Sequence, residues 1–446
     1  MLAWLLLATG SVARNAFQTR PLVAAPPNDH HSPMTKNFTS HSFSLLEVEG
    51  TVGFVKVREN GAGQFYWFWE AIDGDVNTDS KPLILWLDGG PGCSGQAANF
   101  WEFGPVAIDE HLQPERRNGT WSDYFHLLFI DNPLGVGYSF VVHPEDLSRT
   151  EDQLAQDMYT TLQTLAKEFP AWFDRELYIV GHSYAGHYIP VLATLILEQN
   201  KGNRGTIYLP LTGIAVGDGW TDPAIQVTTY AEVGETVGIF NHEQAKIITK
   251  LQQKASTLAL KGHYLAANDW DTYLIGNATQ FAGGINVCNY RVYGGYNDSA
   301  VEQWLNLAST KDLLHVPQDL DWIDCSSSAG DALNGDKMQS YKHLYPNLLK
   351  ELKVMLYNGQ DDFLVNSKGS FLWFDLMDWY GRVPFSQAER ELWYHGANPA
   401  GYVQRYERFV RVLVNKAGHL VHHDQLINGR DMVRRFIFDL PWSKQG

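Results

Sequence analysis

The chain has 446 residues, enough to bury a large core or to make up to about three domains of ordinary size. Its formal charge of -16, from 34 Lys and Arg against 50 Asp and Glu, excludes a nucleic-acid partner, which needs clustered cations to neutralise phosphates. Apolar residues at 44% and aromatics at 13% describe a globular protein with abundant aromatic surface for pocket walls.

Residues 1–18 read as a signal peptide: a short apolar run, 2–8, followed by the small residues Gly10, Ser11 and Ala13, with only the terminal amine as a positive n-region. That run is too short to span a bilayer, and nothing else in the chain is long enough, so no transmembrane segment is expected. The Pro-, His- and Asn-rich stretch up to about residue 40 reads as a pro-like or surface segment. Strand patterns follow at 53–57 and 65–69, as a hairpin, then at Leu83–Leu87 and His126–Ile130. Residues 151–169 have amphipathic helical spacing through Leu154, Met158, Leu162 and Leu165, with Thr150 as the cap. A strand at 177–180, a helix at 188–198 and short strands at 211–215, 354–357 and Phe409–Val414 complete an α/β alternation. This alternation implies a mixed, mainly parallel central sheet covered on both faces. Between 220 and 350 the strand signal fades into helical patches, His242–Leu260 and 301–307, and aromatic loops. We therefore expect a core of 40–219 and 351–446 with a mostly helical cap insertion at 220–350 that narrows the cleft.

Gly181, His182, Ser183, Tyr184, Ala185 and Gly186 lie between a strand and a helix. A serine on so tight a turn is exposed at the carboxyl edge of a sheet, and small neighbours let strand and helix approach closely. An isolated string of this kind can also be an ordinary helix N-cap. A serine hydroxyl needs a base held by an anion, and in such a sheet the order is Ser, acid, His. The strand at 354–357 is followed by Asp361 and Asp362, which the residues alone do not separate. Phe409–Val414 is followed by His419, preferred over His422 and His423 because Gly418 permits a turn aimed back at the serine. The loop Asp88-Gly89-Gly90-Pro91-Gly92-Cys93 could expose N–H groups to a developing oxyanion, the natural pair being Gly90 and Tyr184. As an isolated string it equally fits a plain Gly/Pro turn.

Three cysteines, Cys93, Cys288 and Cys325, allow at most one internal disulfide, and no Cys-x-x-Cys or clustered spacing suggests a metal. Neither metal nor cofactor is expected. Sequons at Asn37, Asn118, Asn277 and Asn297 mark glycosylation sites consistent with a secretory route.

Taken together, residues 86–94, Glu102-Phe103-Gly104-Pro105, 131–139, 181–190, 217–223, 358–366 and 417–419 resemble the serine carboxypeptidases of the carboxypeptidase Y and cathepsin A type, from about residue 40 to the end. The resemblance implies an α/β-hydrolase fold and release of C-terminal residues from peptides or proteins through an acyl-enzyme, usually at acidic pH. It also implies a lysosomal, vacuolar or secreted location. It assigns Ser183 as nucleophile, His419 as base, Asp362 as orienting acid because that acid precedes an apolar residue, and Gly90 and Tyr184 as oxyanion donors. It pairs Cys93 with Cys325, leaving Cys288 free. Asp88, Gly89, Glu102 and His182 fall on the substrate-carboxylate subsite, with two departures: the family has asparagine where Asp88 stands and glutamate where His182 stands. The exchange implies that protonated His182 attracts the carboxylate, Asp88 and Glu102 being protonated or paired with it, and that binding weakens as His182 loses its proton. The alternatives are an acyltransferase or esterase of the same fold, which these departures favour, and a non-catalytic protective or scaffolding protein. The oligomeric state is open, a homodimer included.

Overall fold

The computed structural model describes residues 38–202 and 205–442; the expected leader at 1–18 and the sequon at Asn37 lie outside them. Among the described residues eleven strands form one sheet: β1 (Ser40–Leu45), β2 (Val48–Lys56), β3 (Gly63–Trp69), β4 (Leu83–Leu87), β7 (His126–Ile130), β8 (Leu177–His182), β9 (Leu211–Gly217), β12 (Lys353–Gly359), β13 (Arg390–His395), β14 (Asn398–Tyr406) and β15 (Phe409–Val414). Two hairpins stand apart, β5 (Val106–Ile108) with β6 (Pro114–Arg116) and β10 (Ile285–Asn286) with β11 (Asn289–Tyr293). The sheet order is β1-β2-β3-β7-β4-β8-β9-β12-β15-β14-β13. From β7 to β15 the strands run parallel, and both ends of the sheet are antiparallel.

The parallel strands are apolar on both faces, and the period-2 alternation sorts their side chains into two cores. Leu83, Leu85 and Leu87 of β4 join one core with Leu177 and Ile179 of β8, against helices Glu151–Glu168 and Ala185–Gly202. Ile84 and Trp86, with Tyr178 and Val180, join the other, against helix Leu426–Ile437. Each fully buried Leu, Ile or Val contributes about 1.5–3 kcal/mol, so a polar substitution on either face of β4 or β8 would be destabilising.

Strand ends are aligned by register: Leu87 pairs with Gly181, His182 with Gly217, Tyr357 with Gly217, and Gly359 with Val414. The loops leaving β4, β8, β9, β12 and β15 therefore emerge at one edge. The chain between β9 and β12 forms the long helices His242–Leu260 and Tyr264–Ala282, the β10–β11 hairpin and several short helices. Three strands of the large sheet were not anticipated from sequence, β1, β13 and β14, nor were those of the two small hairpins, and the anticipated hairpin is longer, β2 pairing with β3 from Gly50 to Lys56.

Candidate active site

Ser183 follows β8 directly and has φ 59, a left-handed backbone rare for a non-glycine residue. The turn is held by Ser183 N–H donating to Gly217 O (2.8 Å) and by Gly186 and Trp220 N–H donating to Ser183 O (3.0 and 2.9 Å). Close packing explains the small residues around it. A Cβ on Gly181 would stand 2.2 Å from Leu87 O, and one on Gly186 2.7 Å from Trp220 backbone.

His419 is on the loop after β15 and Asp362 on the loop after β12, and His419 Nδ1 lies 2.8 Å from Asp362 Oδ2. Asp361 points elsewhere, with Arg291 Nε 2.7 Å from its Oδ2. The adjacent acids, indistinguishable as residues, are thus separated by geometry. His422 is fully buried against Tyr357 OH (2.9 Å), and His423 lies beside Asp424 (3.3 Å), so neither belongs with Asp362. The His419 ring is 5.9 Å from that of His182, the residue before the serine. Among the described residues the hydrogen-bond partner of the His419 ring is Asp362.

Gly89 faces the serine so closely that a Cβ there would stand 2.5 Å from Ser183 Cβ and 2.9 Å from Tyr184 N. Gly90, exposed at φ 110, and Tyr184 have no acceptor for their N–H groups among the described residues. Free backbone amides of this kind can donate to an oxyanion. The loop is fastened by the disulfide Cys93–Cys325, with Ser94 N–H donating to Asp324 O and Ser326 N–H to Gly92 O, both 2.8 Å; Cys288 is free.

Asp88, Glu102 and His182 each bring a polar atom within 4.8 Å of the others. Glu102 stands on a π-helical turn, Ala98–Phe103, which Arg117 fastens by donating to Phe100 O (2.6 Å) and to the O of Gly104 just after it (3.0 Å). His182 Nε2 is 2.9 Å from Asp88 Oδ1, and Trp86 packs edge-on against the imidazole. Burial opposes charge on His182, but the Asp88 carboxylate overrides it and the imidazole is raised to about 9. Burial likewise works against the Asp88 anion, yet His182 holds that carboxyl below its usual value. Glu102, buried and facing the same anion, is pushed up to about 7 despite the pull of His182. The sequence reading gave the neutral-range titration to His182; pairing with Asp88 moves it to Glu102. Glu102 Oε2 and His182 Nδ1 are buried without a partner, whereas Gly89 N–H already donates to Asp88 Oδ1 (2.8 Å).

Two features escaped the sequence reading. The β10–β11 hairpin laces the acid and base loops together: Cys288 O accepts from His419 N–H (2.6 Å), Val287 O from Phe363 and Leu364 N–H (3.1 and 3.0 Å), and Tyr290 N–H donates to Asp361 O (3.0 Å). The other is Asp218, at the end of β9, within reach of Asp362 and His419. Of the sequons, Asn118 and Asn297 are exposed and Asn277 is partly so.

The sheet, the strained serine turn and the loops converging on it define an α/β hydrolase. The family model described as serine carboxypeptidase matches residues 41–439, and the chain belongs to that family as a serine-type carboxypeptidase. It is 34% identical over 421 residues to a probable serine carboxypeptidase CPVL of Dictyostelium discoideum, covering 89% of this chain and 82% of the relative. It is 33% identical over 388 residues to serine carboxypeptidase-like 50 of Arabidopsis thaliana, covering 86% of each. Its fold matches the crystal structure of Kex1Δp, a prohormone-processing carboxypeptidase of Saccharomyces cerevisiae, with TM-score 0.79 at 24% identity, over 88% of this chain and 92% of that one.

Proposed function

We propose that the chain releases C-terminal residues from peptides through an acyl-enzyme. Ser183 attacks the last peptide carbonyl, His419 takes the proton and returns it to the leaving amine, and Asp362 accepts the Nδ1–H that fixes the imidazole tautomer. Gly90 and Tyr184 N–H groups receive the oxyanion, and water then resolves the ester. The observation that carries this reading is the pair of unpartnered buried atoms, Glu102 Oε2 and His182 Nδ1, next to the serine. Protonated Glu102 donates to the substrate's terminal carboxylate and the His182–Asp88 pair supplies the adjoining positive edge. Below about pH 7 the trio is then neutral overall, and a single incoming anion meets no net repulsion. Mildly acidic conditions favour this state, in keeping with a secreted, lysosomal or vacuolar setting and glycosylation at the exposed sequons.

Acyl transfer or ester hydrolysis is the second reading, favoured by Asp88 and His182 replacing the family's residues. Matched peptides with free and amidated C-termini separate the two. A carboxypeptidase loses most of its activity on the amide; equal rates overturn the assignment. Failure of a fluorophosphonate to label Ser183 overturns catalysis by the triad altogether.

A further inference from the structure

Asp218 follows β9 with φ 43 and is fully buried. Its carboxyl accepts from Gly359 N–H (3.0 Å to Oδ1, 3.3 Å to Oδ2) and from Asn358 Nδ2 (3.1 Å to Oδ1), so Oδ2 is only weakly engaged by these donors. The Asp362 carboxyl is in hydrogen-bond contact with it, and Asp218, Asp362 and His419 each bring an atom within 4.8 Å of the others. Both oxygens of Asp362 are taken by N–H groups, Oδ2 facing His419 Nδ1 (2.8 Å) and Oδ1 Val365 N–H (3.1 Å), as befits the ionised member of the pair. Two buried carboxylates in contact cannot both keep a charge; one proton between them removes the repulsion and adds a hydrogen bond.

We propose that Asp218 is a neutral carboxylic acid that donates its proton's hydrogen bond to Asp362, making it a positioning residue for the carboxylate that orients His419. Burial, reinforced by the Asp362 charge, holds Asp218 well above the usual carboxylate range, in the same direction. The inference rests on the triad reading given above. It assigns the side chain a task that an amide could also perform, because Asn presents an N–H donor in the same place. Titratable groups facing the pair are His419, His182, Cys288, Tyr230 and Tyr357.

The test compares pH profiles of kcat/KM on a free-acid peptide for the wild type, Asp218→Asn and Asp218→Ala, with Tm and fluorophosphonate labelling measured alongside. Asp218→Asn keeps a donor and a net charge of -1 on the pair, so kcat stays within about twofold and the acid limb does not move. Asp218→Ala leaves Asp362 with its charge undiluted, which holds the imidazolium more tightly. The acid limb then moves up by roughly one pH unit and kcat falls by about tenfold or more. If Asp218 were ionised, both variants would remove a negative charge and the limb would move to lower pH, a result that overturns the proposal. An unmoved limb in Asp218→Ala, whatever happens to Tm, also overturns it, since it leaves only a structural role. Wild-type protein that resists labelling sinks the triad reading instead, and the inference with it.

Discussion

Two clusters of the same composition, two carboxyls and one histidine, lie with their imidazoles, His182 and His419, 5.9 Å apart. In Asp218, Asp362 and His419 the Asp362 oxygens are both engaged and the second acid lies against the first. In Asp88, Glu102 and His182 an ion pair is made, but one carboxyl oxygen and one ring nitrogen face inward with nothing to bind. Satisfied groups hold a geometry, whereas buried unsatisfied ones carry a desolvation cost of about 1–3 kcal/mol each that an arriving ligand relieves. On the function proposed above, the difference separates the cluster that would turn substrate over from the cluster that would receive it.

The comparison breaks first where the expected effect is largest. Asp362→Asn disturbs the imidazole tautomer and should lower kcat by about 10³- to 10⁴-fold with little change in KM, measured on a free-acid peptide. A similar loss confined to KM would put Asp362 in the binding cluster. His182→Ala strands Asp88 as an unpaired buried anion. It should raise KM for free-acid peptides by about 100-fold, cost about 3 kcal/mol in denaturant unfolding, and leave kcat on an amidated substrate nearly unchanged.

A pH series sharpens the contrast. Glu102, at about 7, is a donor below that pH and an anion facing the substrate's anion above it, while His182 keeps its charge until about 9. KM for a free-acid peptide should therefore rise above pH 7 by up to about tenfold per unit and stay flat for the amide. Glu102→Gln, which keeps a donor, should flatten the rise; an unchanged pH dependence in that variant removes Glu102 from recognition. The smallest effect is on stability. Burial raises Glu102 and Asp131 to about 7, and Asp157 and Asp271 to about 6. For acids raised on folding, the contribution is full below the unfolded values and is lost as pH climbs through the folded ones. Thermal melts should give a Tm roughly 5 °C higher at pH 5 than at pH 8.

The serine turn and the chain order in which Ser183, Asp362 and His419 follow strand ends were legible because they depend on local turn chemistry and on runs of buried strand. Asp361 and Asp362 were not separable, since neighbouring residues on a loop face opposite ways and only Arg291 and His419 decide which way each points. Strands β1 and β13 were not anticipated because they lie at the two ends of the sheet, where one neighbour and a half-exposed face replace the apolar signal. Asp218 was visible only as part of a matching string. Its relation to Asp362 comes from parallel pairing of β9 with β12. Which group titrates near neutrality likewise depended on a 2.9 Å approach between side chains from two loops, which residue types do not encode.

The bond between Cys93 and Cys325 spans 232 positions and ties the segment bearing Gly90 to the chain between β9 and β12. Topologically it closes a ring that contains β7, β8, Ser183 and the two long helices His242–Leu260 and Tyr264–Ala282. A protease that nicked this ring once would leave both products in a single covalent species, with the loop bearing Gly90 still anchored beside Ser183. Such nicked material would run as one band before reduction and two after it.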